Sequence, residues 1–150
     1  MRAVIQRVEK ASVVILEKEI AKIEQGLLVL LGIEIEDAKE DALWLASKIA
    51  ALRIFSDEKG VMNKSIVESV GEVIVVSQFT LHAKTKKGNR PSYIKAAKPK
   101  KSIPLYEQFK KDLSQAIGRQ VLSGEFGADM KVSLINDGPV TIIIDTKNKE

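Results

Sequence analysis

The segment that most restricts the fold of this chain is Gly26–Gly32, in which five consecutive aliphatic residues stand between two glycines. Successive side chains of a β-strand point to opposite faces, so apolar groups must cover both sides of a strand with this composition. The run is far shorter than the roughly 18 apolar residues that a membrane-spanning helix needs. The segment therefore predicts a strand in the interior of a sheet that is packed on both faces.

Other runs rich in valine and isoleucine predict the neighbouring strands. In chain order they are Arg2–Val8, Ala11–Leu16, Glu19–Ile23, Arg53–Phe55, Glu72–Val76, Lys131–Ile135 and Val140–Asp145. These runs outnumber the helical segments and cluster along the chain instead of alternating with helices. This order favours an α+β fold.

The first of two helical segments begins at Glu36, where Asp37 and Glu40 have the spacing of a capping box. Its apolar face is formed by Ala38, Ala42, Leu45, Ile49 and Leu52. These residues recur at steps of three and four, which is the periodicity of an amphipathic helix.

The second helical segment begins at Ser102, has Pro104 in its first turn and ends at Gly118. No internal repeat, proline-rich linker or low-complexity tract interrupts the chain. We therefore expect a single domain over residues 1–150.

The residue types that the chain lacks exclude several chemistries. It has no cysteine and one histidine, His82. A cysteine nucleophile, a disulfide framework, a thiolate metal site and a multi-histidine zinc site are therefore excluded, and we expect no metal and no cofactor.

Charged residues from Arg2 to Lys10 interrupt the apolar N-terminus, unlike a secretory signal, so a cytoplasmic, non-membrane protein is expected.

The positive charge of the chain is concentrated in residues 84–101. This segment holds eight of the 24 basic residues and no acidic one, so the other 16 basic residues face 20 acidic ones elsewhere. Its glycine and prolines indicate a loop. A segregated basic stretch is typical of contact with nucleic-acid phosphates, although a solvated lysine-rich surface loop would have the same composition.

A polar tetrapeptide follows the β-branched run Glu72–Val76. It consists of Ser77, Gln78, Phe79 and Thr80. Polar groups at the end of a core strand are candidates for a site, because the strand end is rigid and its last N–H groups are free to point at a ligand. The alternative is that Ser77 and Thr80 only satisfy backbone groups at a local turn.

A second unusual segment, residues 136–141, leads into an apolar run. It contains the sequence Asn-Asp-Gly-Pro, which is ordinary turn chemistry, so a hairpin turn without any function is one interpretation. Gly138 has no side chain and Pro139 has no N–H, so this dipeptide offers rigid backbone carbonyls against which a ligand can be sterically tested.

The chain resembles the D-aminoacyl-tRNA deacylase family along essentially its whole length. The motifs that carry the resemblance are residues 1–8, 26–32, 52–55, 77–81, 87–92, 126–130 and 136–141. Each is short, but together they occur in the order found in the family. The resemblance implies an enzyme that hydrolyses the ester between a D-amino acid, or glycine, and the terminal adenosine of tRNA.

The resemblance also implies roles for particular residues. Ser77, Gln78, Phe79 and Thr80 line the pocket for the aminoacyl-adenosine. The Gly138-Pro139 bond is expected to be cis and to reach into the active site of the partner subunit of a homodimer. Arg7 is expected to hold this pair, and Met130 to line the pocket near it.

Four basic residues, Lys84, Lys86, Lys87 and Arg90, are the candidate tRNA contacts.

For the fold, we expect mainly antiparallel and mixed sheets that form a barrel-like core, with two main helices packed on it. An aminoacyl ester is already activated, so its hydrolysis needs no metal.

The mechanism leaves two assignments for Thr80 open. As a covalent nucleophile it would need an adjacent base, which the sequence does not provide. Alternatively, the 2′-hydroxyl of the substrate's adenosine assists the attack of water, while N–H groups at Phe79 and Thr80 bind the oxyanion. We favour substrate assistance. His82 is not assigned as the base, because two residues of extended chain carry it about 6–7 Å beyond Thr80.

Two other functions remain open at this point. A noncatalytic RNA-binding module would use the basic segment to bind phosphates and the strand end to bind a terminal base. A general hydrolase of small esters would have no use for the basic segment.

Overall fold

The structure, a computed structural model, describes residues 1–150 as a curved mixed sheet with two helices packed against it. Its main strands are β1 (Arg2–Ile15), β2 (Lys18–Ile23), β3 (Gly26–Gly32), β6 (Glu72–Ser77), β7 (Leu122–Ser123) and β8 (Lys131–Asp145). A separate hairpin is formed by β4 (Phe55–Ser56) and β5 (Met62–Lys64). The helices are α1 (Lys39–Ala51) and α2 (Pro99–Ile117), with a short 3₁₀ helix at Phe79–His82. The α+β prediction with a barrel-like core is confirmed.

Strand β1 organises the sheet, because it pairs along its whole length. β8 runs antiparallel to it on one edge, while β3 and β2 pair in succession on the other edge. Beyond β3, strands β6 and β7 add in parallel.

The sequence predicts two strands, Arg2–Val8 and Ala11–Leu16, where the structure has the single strand β1. The exposed pair Glu9-Lys10 lies at a register shift, which absorbs polar residues without ending the strand.

Strands β3 and β6 are buried on both faces, as the sequence predicts. Leu27 and Val29 face a large core that includes both helices, whereas Leu28 faces a smaller core inside the curved sheet. On β6, Val75 likewise faces the large core, and Ile74 faces the smaller core. Each such aliphatic side chain contributes roughly 1.5–3 kcal/mol of burial free energy. The end of β6 is therefore held rigidly, and the candidate site begins there.

Residues 136–141 do not form the hairpin turn that their composition allows, because both flanks of this segment pair with β1. Gln6 is opposite Thr141 and Val8 is opposite Asn136, so four residues of β8 bulge out opposite Arg7. We call residues 137–140 the β8 excursion. Its Gly138–Pro139 peptide bond is cis, and Gly138 has a φ of 121°.

Both helices begin at other residues than the sequence predicts. Helix α1 begins at Lys39, because the Asp37 carboxylate is buried and accepts hydrogen bonds from the Met1 amino group and the Glu34 N–H. The capping contact instead joins the Ala38 N–H to Asp41 at 2.9 Å.

Helix α2 begins at Pro99, three residues before the predicted start, so Pro104 lies inside the helix rather than in its first turn. A proline at the first helical position needs no N–H partner, which explains the earlier start. The helix ends at Gly118, which has the left-handed conformation expected of a glycine stop. Neither helix is long and apolar enough to span a membrane.

Candidate active site

A cavity of about 310 Å³ opens where β6 ends. Its wall is formed by Leu31, Ile33, Val76, Ser77, Gln78, Phe79, Ala97, Ser102, Phe126, Gly127, Ala128, Asp129, Met130 and Val132. Of the residues predicted for the site, Ser77, Gln78, Phe79 and Met130 are thus brought together around one cavity. Thr80 adjoins this wall without being part of it.

The polar tetrapeptide leaves the sheet at Ser77, which is opposite Leu31 in the parallel pairing of β3 and β6. The Gln78 N–H still donates to the Leu31 carbonyl at 2.8 Å, and the chain then turns into the 3₁₀ helix. Gly32 permits this turn, because a Cβ there would lie 3.0 Å from the Gln78 oxygen.

Phe79 and Thr80 are the first two residues of this 3₁₀ helix. The first N–H groups of a helix have no acceptor within the helix, so these two are free to donate elsewhere. The segment thus combines a rigid base in β6 with main-chain donors next to the cavity, which is the arrangement needed to bind an oxyanion.

The Thr80 hydroxyl has one hydrogen-bond partner, the Gln78 side-chain amide, at 2.5 Å. An amide does not remove a proton from an alcohol in either of its orientations. The hydroxyl is therefore positioned by Gln78 but not activated.

Asp129 is the one titratable residue in the cavity wall. Its exposed carboxylate pairs with Lys131 at 3.1 Å. His82 lies outside the wall and is buried, and its Nε2 has no hydrogen-bond partner. The cavity therefore holds no histidine, and its single carboxylate is already paired on the surface.

The apolar half of the wall includes Phe126, to which the sequence alone assigns no role in the site. Phe126 packs edge to face on Tyr106, with ring centroids 5.7 Å apart. The buried Tyr106 hydroxyl donates to the Val75 carbonyl at 2.8 Å, and burial raises the pKa of Tyr106, which keeps it a donor. This chain of contacts joins Phe126 to β6. The available signal was the aromatic residue at the start of the motif 126–130.

Met130 lies between the cavity and the sheet. Its sulfur would be 2.3 Å from a Cβ at Gly124, so the absence of a side chain at Gly124 makes room for the thioether. Met130 also packs against the smaller core.

The β8 excursion lies away from this cavity in the same protomer. Gly138 and Pro139 are exposed, and neither is part of the cavity wall. Arg7 is buried at the base of the excursion, where its guanidinium donates to the Ile54 carbonyl at 2.5 Å and to the Asp137 carbonyl at 3.2 Å. It also pairs with the Asp137 carboxylate at 3.0 Å.

The basic segment, residues 84–101, is tied to the fold at both ends of its loop. Lys84 and Ser92 exchange two main-chain hydrogen bonds of 2.8 and 3.0 Å, which close the loop that carries Lys86, Lys87 and Arg90. None of the segment's eight basic side chains forms an ion pair with a carboxylate. Its charge therefore remains available to an anionic ligand.

Comparison with known proteins points to one family. The family described as D-Tyr-tRNA(Tyr) deacylase matches residues 4–145. The D-aminoacyl-tRNA deacylase of Bacteroides fragilis (strain YCH46) is 67% identical over 150 residues, with both chains covered completely. That of Flavobacterium psychrophilum is 64% identical, again over the full length of both chains.

Two solved structures are also similar. The c-Myc DNA Unwinding Element Binding Protein has a TM-score of 0.92 and 39% sequence identity, covering 97% of this chain and 98% of its own. A probable eukaryotic D-amino acid tRNA deacylase has a TM-score of 0.82 with 17% identity, covering 95% of this chain and 97% of its own, and so supports the fold alone.

Proposed function

The chain belongs to the D-Tyr-tRNA(Tyr) deacylase family, and from this membership we infer that it hydrolyses the ester bond of D-aminoacyl-tRNA, releasing the D-amino acid and tRNA. The observation that carries the inference is identity of 67% over the full length to a D-aminoacyl-tRNA deacylase. We further propose that residues 1–150 act as one deacylase domain, and that its tRNA substrate places the enzyme in the cytoplasm.

We propose that the reaction takes place in the cavity at the end of β6. Water attacks the ester carbonyl, the carbonyl oxygen becomes an oxyanion, and the N–H groups of Phe79 and Thr80 stabilise it. The bond to the 3′-oxygen of the adenosine then breaks, and that oxygen leaves as the hydroxyl of tRNA. The free donors at the start of the 3₁₀ helix support this assignment.

The proton of the attacking water needs an acceptor, and the cavity wall offers none except the paired Asp129. We therefore propose that the 2′-hydroxyl of the terminal adenosine relays this proton, accepting it from the water while its own proton passes to the departing 3′-oxygen. Thr80 then acts through its main chain and through its contact with Gln78, while Ser77 and Met130 shape the pocket. The lack of a base beside the Thr80 hydroxyl is the observation that favours this route over a covalent intermediate.

Chiral selection is proposed to come from a second copy of the chain. Gly138 and Pro139 are exposed and lie away from the cavity of their own protomer, while Arg7 fixes the base of their excursion. In a two-fold symmetric homodimer each excursion would enter the partner's cavity. Its backbone would occupy the space of an L side chain, so that D-aminoacyl and glycyl esters are accepted and L-aminoacyl esters are not.

The basic segment is proposed to bind the tRNA backbone through Lys84, Lys86, Lys87 and Arg90. These side chains are exposed and unpaired, and they lie on the loop that follows the 3₁₀ helix. Replacing all four should lower the slope of log Kd against log salt by about 0.7–0.9 for each phosphate that the variant no longer neutralises. An unchanged slope would show that they form only a solvated surface.

The function is tested by incubating the protein with D-tyrosyl-tRNA and L-tyrosyl-tRNA and following loss of the ester. We expect rapid release of D-tyrosine and no release of L-tyrosine above the uncatalysed rate. A noncatalytic RNA-binding module would instead protect both esters. Equal cleavage of D-tyrosine ethyl ester and D-tyrosyl-tRNA would point to a general esterase.

A further inference from the structure

An exposed aromatic pair stands at the mouth of the cavity. The rings of Phe79 and Tyr93 meet edge to face, with centroids 5.0 Å apart and an interplanar angle of 73°. Phe79 is 55% exposed and Tyr93 is 38% exposed, although both are large and apolar. Phe79 also contributes to the cavity wall, whereas Tyr93 lies outside it. The pair therefore extends from the cavity onto the surface.

The position of Tyr93 is fixed by main-chain contacts on both sides. Ser92, immediately before it, is paired with Lys84, and the Tyr93 carbonyl accepts the Ala96 N–H at 2.9 Å. The Lys95 carbonyl then accepts the Ile35 N–H at 3.0 Å. Tyr93 is thus presented by a well-anchored backbone.

The chain on both sides of Tyr93 carries positive charge. Tyr93 lies within the basic segment, between Arg90 and Lys95, and no acidic residue occurs in that segment. Aromatic rings beside unpaired lysine and arginine form the combination that binds single-stranded nucleic acid, because bases stack on the rings while cations bind the phosphates. A partner protein with an apolar surface would not account for this charge.

We propose that the Phe79–Tyr93 pair, and Tyr93 in particular, stacks an unpaired base that precedes the terminal adenosine of the tRNA. This inference rests on the proposed function, since it assumes that the aminoacyl-adenosine occupies the adjacent cavity. The nucleotide upstream of the adenosine must then leave the cavity past its mouth, where Tyr93 stands. Stacking on the pair would thereby distinguish an aminoacylated RNA strand from an aminoacylated nucleoside.

The test compares two substrates that differ only upstream of the adenosine, D-tyrosyl-tRNA and D-tyrosyl-adenosine. In Tyr93→Ala we expect kcat/KM for D-tyrosyl-tRNA to fall about 5- to 150-fold, the range for removing the stacking of one base. The value for D-tyrosyl-adenosine should stay within about twofold of the unchanged enzyme, since that substrate has no upstream base.

Two further variants separate stacking from packing. Tyr93→Phe keeps the aromatic ring and should match the unchanged enzyme on both substrates, whereas Tyr93→Leu keeps apolar volume without a ring and should resemble Tyr93→Ala. The control is Ile94→Ala, which removes a neighbouring side chain that is 71% exposed and not aromatic. This control should affect neither substrate. Thermal melting must show each variant folded.

Each other outcome has a definite meaning. An equal loss on both substrates in Tyr93→Ala would overturn the proposal, because Tyr93 would then support the cavity itself. Full activity of Tyr93→Ala on D-tyrosyl-tRNA would also overturn it. Failure of the unchanged protein to cleave D-tyrosyl-tRNA would contradict the proposed function, which is a separate result.

Discussion

The cavity at the end of β6 and the excursion on β8 use the same sheet in opposite ways. The cavity is concave, and Ser77 and Gln78 in its wall are half-buried at the end of a strand that is covered on both faces. The excursion projects outward, with Gly138 and Pro139 exposed and a single buried side chain, Arg7, beneath it. One region thus has the form of a ligand pocket, and the other has the form of a projecting element.

The two regions also differ in what stabilises them. The cavity depends on two apolar cores, whereas the excursion depends on a few polar contacts between Arg7, Ile54 and Asp137. Loss of catalysis and loss of selection should therefore be separable by substitution. Neither region contains a side chain suited to act as a nucleophile with its own base.

The largest effect is expected from Phe79→Pro compared with Phe79→Ala. Both remove the ring, but only proline removes the N–H, and a proline is tolerated at the first position of a helix. The proline variant should be slower than the alanine variant by about 10²–10³-fold in kcat, the cost of one oxyanion donor. Single-turnover rates on D-tyrosyl-tRNA measure this, with circular dichroism as the folding control. Equal rates would remove the main-chain donor from the mechanism.

The second prediction joins the two regions by complementation. Phe79→Pro has an intact excursion, and Gly138→Val has an intact cavity but places a branched side chain at a φ of 121°, with its Cβ 2.9 Å from the Arg7 guanidinium. Each variant alone should be nearly inactive: Phe79→Pro lacks an oxyanion donor, and in Gly138→Val the added side chain would project into the partner's cavity and block every substrate. In an equal mixture about half of the dimers are mixed, and each mixed dimer has one intact site, so activity should recover to about a quarter.

Co-expression with two different affinity tags allows the mixed dimer to be purified, and its activity should then be about half that of the unchanged enzyme. Absence of recovery in a verified mixed dimer would mean that each excursion does not serve its partner's cavity. Recovery without any dimer, judged by light scattering, would contradict the account as well.

A smaller effect is expected from Arg7→Met, with Arg53→Met as its control. Removing the buried Arg7 guanidinium leaves the Ile54 carbonyl without its donor, which should cost about 1–3 kcal/mol of unfolding free energy. Arg53 also donates to a carbonyl, that of Asn63, but in an exposed position where water can replace it. Urea unfolding should therefore separate the two variants. Equal stabilities would show that the bond from Arg7 to the Ile54 carbonyl contributes no more than the exposed bond of Arg53.

The smallest effect concerns acid stability, away from both regions. Burial alone would raise the pKa of Asp41, but hydrogen bonds from Lys147 and from the Ala38 N–H outweigh it and lower the pKa to about 2. The unfolded chain binds this proton near pH 3.8, so the stabilisation is complete above that pH and is lost as the pH falls towards 2.

Asp41→Asn should therefore flatten the fall of the urea midpoint between about pH 4 and pH 2, with deacylase activity at neutral pH unchanged. A flattened profile accompanied by a loss of activity would show that the region around Asp41 is coupled to the site.

The sequence predicts those parts of the molecule that local patterns determine. The two-faced strands β3 and β6 and the apolar faces of both helices can be read from side-chain periodicity. The turn chemistry of residues 136–141 was misleading, because nothing local indicates that both flanks pair with β1. The start of α1 was misjudged for a similar reason, since Asp37 binds the distant Met1 amino group.

The same distinction applies to the site. Ser77–Thr80 could be found because polar residues follow a β-branched run, and Gly138-Pro139 because of its unusual composition, whereas the resemblance supplied Arg7, Met130 and the role of the Gly-Pro pair. Tyr93 gave no such signal. It meets Phe79 because the pairing of Lys84 with Ser92 and the bond from Ile35 to Lys95 fix the backbone on its two sides, and these are tertiary contacts.

We propose that the cavity has no nucleophile of its own and that the substrate's 2′-hydroxyl assists the reaction. The most direct measurement is the single-turnover hydrolysis of D-tyrosyl-tRNA that ends in 2′-deoxyadenosine and is charged on the 3′-hydroxyl, beside the ribose substrate and the Thr80→Ala enzyme. We predict that loss of the 2′-hydroxyl slows hydrolysis about 10²–10⁴-fold, while Thr80→Ala stays within about tenfold of the unchanged enzyme on the ribose substrate. Unimpaired cleavage of the 2′-deoxy substrate, together with an inactive Thr80→Ala enzyme that no longer forms a trappable acyl ester, would contradict the account.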